Sequence, residues 1–384
     1  MADFMAVALG SVMAAGVTLA FIGPPGSRVV PATLPAASVA PHAAAVAPVS
    51  APAPTPASLA GAVARIPPAV SLPTSAAARS QQPAWVVPDV DALPDDEWGK
   101  TVRHGRDLIA RTYALIGPEA PDASRRFAGN NLACQNCHLE AGTKRFGLPF
   151  QGVYADLPNY RARSGTVATV EDHIQDCMTR SMNGKPLPAG SPEMTAIVAY
   201  MKSLSDGRVV GAPTTGRGAG HMAELTRAAD PALGKDVYAE NCTACHGADG
   251  AGQRAGAVGN AQGYTYPPLW GDDSFNDGAG MARLIGAANF IHGNMPNGVS
   301  WHSPALSEQD AWDVAAYVQS QPRPREAHLD HDYPVALERP VDSNYGPYVD
   351  GISAEQHKLA PFAPIRARMD GHRATAPFLP ASPR

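Results

Sequence analysis

The chain has 384 residues, a net charge of −5, 17% charged residues, 38 prolines and five cysteines, a length that suits two or three domains. Residues 1–88 carry +2 of that charge (Asp3 against Arg28, Arg65 and Arg79), which leaves −7 on residues 89–384 and excludes a generally basic nucleic-acid binder. Five cysteines are far too few for a disulfide-dense secreted scaffold, and a single apolar stretch of spanning length excludes a polytopic membrane protein.

That stretch is Phe4–Ile22, an uncharged run of 19 residues ahead of Gly23-Pro24-Pro25-Gly26. It is short for a transmembrane helix and long for a signal-peptide core, with no basic n-region and no clean small-x-small cleavage site. It is expected to be an export element (residues 1–23), with an uncleaved membrane anchor through residues 4–22 favoured over a cleaved signal. Residues 24–88 hold 14 prolines. Proline denies such a segment both helix and sheet, and it lacks the large periodic side chains of a core. A disordered, semi-rigid Pro/Ala-rich linker is expected there, with folding starting near Val90.

The body then repeats one layout. Asp95–Ile116 carries Trp98, Val102, Leu108, Ile109, Tyr113 and Ile116 near helical period, and Pro192–Leu204 carries Ile197, Met201 and Leu204. Further on, a short helix opens at Pro231–Glu240, and Ser307–Ser320 reads as a helix with Ser307 as its N-cap. Between each pair lies the same motif, Cys134-Gln135-Asn136-Cys137-His138 and Cys242-Thr243-Ala244-Cys245-His246. C-x-x-C-H is the c-type haem attachment pattern: two thiols add to the haem vinyl groups and the adjacent imidazole, here His138 or His246, becomes the proximal iron ligand. At this chain's Cys and His frequencies one match is expected by chance roughly 0.002 times. A zinc ribbon normally spaces its CxxC pairs about 15–20 residues apart, and a thioredoxin-like motif needs a βαβ context, so both are set aside.

The fold expected is therefore all-α, two cytochrome c-like domains in tandem with two covalent haem c groups. The boundaries are 89–208 for the first domain, 209–228 for a linker, 229–325 for the second domain and 326–384 for a C-terminal extension packed on both. Covalent haem also implies an exported, periplasmic protein.

The sixth ligands need separate arguments. In the second domain Met295, on the loop composition Asn294-Met295-Pro296-Asn297-Gly298, is expected to reach the iron, while Met281 packs in a helix. A His/Met haem has a raised potential, which suits an electron exit. In the first domain Cys177, Met178 and Met182 compete on equal terms. Cys177 is the odd thiol, and a thiolate ligand would lower the potential.

Here the chain resembles the dihaem thiosulfate dehydrogenases, the tetrathionate-forming cytochromes c, and more distantly the sulfur-oxidation cytochromes with a Cys-ligated haem. The matching stretches are Asn131–Thr143, Asp176–Leu187, Pro267–Gly271 and Asn294–Pro296, with Arg339–Asp342, Asn344–Tyr348 and Gln356-His357 in the tail. The resemblance runs from about Asp95 to Ile365 and leaves out the first 88 residues. It implies Cys177 as the first haem's distal ligand and Met295 as the second's. It also implies oxidation of two thiosulfates to tetrathionate beside the first haem, with the electrons passed to an external partner such as a cytochrome c. Arg163 and Ser181 match the family's pocket, and Arg161, Lys185 and His173 are the further groups expected to offset the substrate's charge. His173 stands where the family carries a second Arg, and Asn294 where some members carry a Lys that exchanges as ligand.

Overall fold

A computed structural model describes residues 85–210 and 214–375. All of them belong to one compact unit. The apolar run Phe4–Ile22 and the Pro/Ala-rich linker up to Ala84 lie outside the described residues. Among the described residues no helix is long and apolar enough to cross a membrane.

The first domain is framed by three helices, α1 (Glu97–Ala110), α2 (Val170–Thr179) and α3 (Pro192–Ser203). The Asp96 carboxylate caps α1 at the Gly99 amide, 2.8 Å away, and Ser191 caps α3 ahead of Pro192. Helix α1 is shorter than the periodicity suggested. Its pattern breaks at Arg111, and Thr112–Leu115 forms a separate turn. In the second domain α4 (Pro231–Asn241), α5 (Leu284–Asn294) and α6 (Glu308–Ser320) play the matching parts, α4 capped by Asp230 and α6 by Ser307. Two short antiparallel ribbons complete the body, β1 (Asn159–Arg161) with β2 (Thr166–Ala168), and β3 (Gln253–Arg254) with β4 (Tyr264–Tyr266). The mostly helical expectation stands, with these ribbons added.

In both domains the first and last helices cross at a glycine. A Cβ on Gly105 of α1 would lie 2.0 Å from the Ala196 carbonyl of α3. A Cβ on Gly234 of α4 would lie 1.9 Å from the Asp313 carbonyl of α6. Only glycine lets backbones approach that closely. Around the first crossing Val102, Leu108, Ile109, Ile197, Tyr200 and Met201 form one core. Around the second, Trp312, Ala315 and Ala316 pack with Leu284 and Ala288 in one cluster, and Tyr238, Val314 and Val318 in another.

The connection after the first domain is a strap packed on both domains: its Gly216 and Gly218 carbonyls accept from Phe146 and Leu148, and buried Met222 donates to Asn289. Ordered contacts also begin before Val90, since the Val86 carbonyl accepts from Gln151 and Trp85 lies under Arg145. The C-terminal extension folds as α7 (Ala354–Leu359) and α8 (Ala363–Thr375). Phe362 and Ile365 are fully buried, and Phe362 meets Trp312 of α6.

Candidate functional site: two CxxCH centres and an arginine cluster

The first CxxCH turn is built on the end of α1. Thr112 accepts from the Cys134 amide and donates to the Leu108 carbonyl, while Gln135 donates to Ala110. From the second domain, Asp273 accepts from both the main chain and the side chain of Asn131, three residues before Cys134. The His138 ring stacks on Phe150 at 4.3 Å, and its Nδ1 lies 2.5 Å from the Leu148 carbonyl. In the second domain the His246 Nδ1 lies 2.8 Å from the Pro267 carbonyl. A carbonyl only accepts, so Nδ1 carries the proton in both rings and Nε2 keeps a free lone pair. Burial holds both imidazoles below their ordinary pKa, hence neutral. This is the tautomer and outer hydrogen bond that a metal-binding histidine needs. All five cysteines are unpaired, and among the described residues no group of three His, Cys, Asp or Glu side chains could hold a bare metal ion. The donor set fits haem c at each turn and not a shared zinc.

Helix α2 carries Cys177 and Met178, and Met182 follows it. Its buried stripe is Val170, Ile174 and Met178, and Met178 and Met182 are both nearly fully covered in the core. Cys177 lies beside that stripe with its side chain exposed. It is crowded as well as open: burial, then the nearby Cys134 thiol and the Asp176 carboxylate, push its thiol up to about 11. The same burial and the Cys177 and Cys134 thiols push Cys137 up to about 12. Cys177 and Cys137 thus lie close to one another and Cys177 close to Cys134, while Met178 and Met182 are buried in the core cluster that Cys134 also touches. In the second domain Met295 follows α5, half-buried, with its amide on the Ile291 carbonyl. Ile291 and Cys242 pack against the same apolar cluster. Met281 sits in a short 3-10 turn, partly buried against the core, rather than in an α-helix.

Beside Cys177 lies a cluster of charge. Asp176 pairs with Arg161, and with Arg180 at 3.2 Å and Arg163 at 3.8 Å. Asp332, from the C-terminal extension, takes both guanidinium nitrogens of Arg180 at 2.8 and 2.9 Å, lies 3.6 Å from Arg163 and accepts from the Tyr345 hydroxyl. Arg163 also donates to the Gly278 carbonyl at 2.7 Å. Burial alone would raise the Asp176 carboxyl, but Arg161, Arg163 and Arg180 outweigh it and hold it below the usual range. Three guanidinium groups meet two carboxylates here, and of these charges Asp176 acts most strongly on the thiol, ahead of Arg161 and Arg163.

The other expected pocket residues divide. His173 reaches the cluster, but burial and Arg161 keep it neutral, so it does not replace the charge of an arginine. Its Nε2 is buried without a hydrogen-bond partner. Ser181 is half-buried, with its carbonyl held by Asn130. Lys185 is exposed, its ammonium 5.4 Å over the Phe127 ring. Sequence reasoning missed Arg180 and Asp332. Arg180 stands in the quoted segment Asp176–Leu187, but Asp332 is 152 residues further on and only the fold brings it here.

Two neutral, Nδ1-anchored histidines behind two CxxC turns, on two helix pairs of the same design, define a dihaem c-type cytochrome. Residues 124–210 match the SoxA/TsdA cytochrome c domain and residues 231–322 the cytochrome c domain. The chain is 41% identical over 255 residues to a thiosulfate dehydrogenase of Allochromatium vinosum, covering 64% of this chain and 88% of that protein. It is 40% identical over 258 residues to one from Psychrobacter arcticus, covering 66% of this chain and 73% of that protein. Among solved structures it resembles the thiosulfate dehydrogenase TsdBA of Marichromatium purpuratum, as isolated (TM-score 0.58, 30% identity), covering 76% of this chain and 56% of that one. The chain belongs to the thiosulfate dehydrogenase family, and it carries two covalently bound haem c groups.

Proposed function

We propose that this cytochrome oxidises two thiosulfate ions to one tetrathionate, releasing two electrons, beside Cys177. The observation that carries the reading is the placement of this thiol: exposed, close to Cys134 and Cys137, with Arg161 and Arg163 near enough to act on it and Arg180 joined to them through Asp176. Bound haem c would supply one-electron redox chemistry; Cys134, Cys137 and His138, with Cys177 as a further ligand, would hold the first group, and Cys242, Cys245 and His246, with Met295, the second. The protein's part is to bind and align two dianions. Arg163 has the longest ion pairs of the three guanidiniums, 3.6 and 3.8 Å, so its charge is the least neutralised by a carboxylate and is available to an oxyanion while Asp332 keeps Arg180 fixed. The attraction is local, because the body as a whole is acidic.

Export to the periplasm through Phe4–Ile22, tethering by residues 24–88, and an external cytochrome as electron acceptor complete the proposal. The test is anaerobic addition of thiosulfate to the oxidised protein. Reduced haem α-bands should appear together with one tetrathionate per two thiosulfates consumed. A protein whose haems accept electrons from a chemical reductant but not from thiosulfate would instead be a carrier without this activity.

A further inference from the structure

The loop Lys144–Leu148 touches both haem centres. Phe146 and Leu148 have positive φ, 58° and 55°, although neither is glycine. Such backbone costs on the order of 1 kcal/mol or more per residue and persists only where contacts hold it. Here all four main-chain polar groups are engaged. The two amides donate to the Gly216 and Gly218 carbonyls of the strap. The Leu148 carbonyl fixes the His138 ring of the first centre. The Phe146 carbonyl accepts, at 2.9 Å, from the Asn294 side chain of the second domain.

Asn294 is 1% exposed and is the last residue of α5, directly before Met295. Its Nδ2 also donates to the Phe290 carbonyl at 3.1 Å. Both neighbours are acceptors, so the orientation of the amide is fixed by chemistry. The same seam is braced by Lys144 on the Val299 carbonyl at 3.3 Å and by the Phe146 ring against Trp301 and His302, each at 5.5 Å.

We propose that Asn294 is a positioning residue: it anchors the Met295 loop of the second haem to the loop that orients His138 at the first, so that the axial environments of the two haems are mechanically linked. This rests on Met295 being the second haem's ligand. An asparagine that donates twice at this point ties the end of α5 to the loop in one place.

The test uses the full-length holoprotein with Asn294→Leu and Asn294→Asp. Both keep the approximate shape; Leu removes both donors and Asp leaves at most one as the buried acid, so an effect present in both and larger in Asn294→Leu reports the lost hydrogen bonds. Imidazole is titrated against the thioether-to-ferric-iron absorption of the second haem, and the electron paramagnetic resonance signal of the first is recorded. Loss of anchoring should raise the second haem's imidazole affinity roughly five-fold, the equivalent of one ordinary hydrogen bond. It should also shift the first haem's signal, which an anchor serving only the second domain would leave unmoved. Should the Asn294 variants fail to fold, Lys144→Ala opens the same seam from the other side and should act in the same direction. An unchanged imidazole affinity, or an unmoved first-haem signal, overturns the linkage. Met295→Ala is the separate control: if the thioether absorption survives it, the ligand assignment is wrong and the inference falls with it.

Discussion

At the scale of single residues, Cys177 and Asp332 carry the distinctive predictions. Cys177 is the one cysteine outside the two attachment turns, and Met178 and Met182, its rivals, are used up in the core. Cys177→Ala should abolish tetrathionate formation and change the first haem's low-spin spectrum, while mass spectrometry still shows two covalent haems. Near-normal turnover in that variant would make the thiol a bystander. Cys177→Met should restore six-coordination at higher potential, with turnover still very low because a thioether cannot form a sulfur adduct. Asp332 is 6% exposed and takes both nitrogens of Arg180. Asp176 still faces Arg180 when Asp332 is removed, so the loss is partial, about 1–3 kcal/mol for the donors left without an acceptor. Asp332→Ala should therefore lower the unfolding midpoint and also raise KM for thiosulfate, since Arg163 and Arg180 lose their shared brace. A fall in stability with KM unchanged would make Asp332 structural only.

At the scale of elements, the two helix crossings are the units on which each haem centre is built. Gly105→Ala and Gly234→Ala each place a methyl carbon about where a carbonyl oxygen already sits. Overpacking of this kind costs roughly 1–3 kcal/mol or more. Each substitution should disturb the spectrum of the haem in its own domain first, so optical melting followed at the two haems separately distinguishes them. Equal disturbance at both would mean the domains do not respond as separate units. The glycine crossing was written in the sequence as a second repeat, Gly105-Arg106-Asp107-Leu108 and Gly234-Lys235-Asp236-Val237, which composition and helical period alone do not single out. Helices α2 and α5 were less legible. Their apolar residues form short stripes next to polar, ligand-bearing positions, and each is closed by a loop residue serving the site rather than by a helix-stop signal.

At the scale of the molecule, the two domains are locked by polar contacts as well as by the seam at Asn294. Glu119 of the first domain accepts from Arg254 and from the Ala261 amide of the second. Burial alone would raise its carboxyl, but hydrogen bonds from Gly259, Ala261 and Arg254 outweigh it, and its pKa is lowered. A carboxyl with a depressed folded pKa contributes stability that is present above its unfolded value and lost as pH falls through the folded one. The tie should therefore weaken below about pH 4, and Glu119→Gln should flatten the acid limb of the stability curve there. A limb of unchanged slope would show that the tie contributes nothing. Trp85 lies under Arg145 and the Val86 carbonyl accepts from Gln151, so deletion of residues 1–84 should leave turnover intact in solution. Deletion through Val86 should cost stability by baring Gln151.

The sequence by itself determined the chemistry and the number of centres. Attachment of haem c demands two thiols and an imidazole within five consecutive residues, and a requirement so local survives in the order of the chain. Helix caps and the apolar periods of α1, α3, α4 and α6 were legible for the same reason. What tertiary structure alone decided is what converges from far apart. Asp332 meets Arg180 across 152 residues, and Asn294 meets Phe146 across 148. Whether a charge such as Arg163 is a solvated surface group or part of a cluster depends on which carboxylates the fold carries to it. His173 shows the same limit: its type suggested a pH-sensitive cation, but burial and a neighbouring guanidinium keep it neutral, and neither is a property of the residues beside it in the chain.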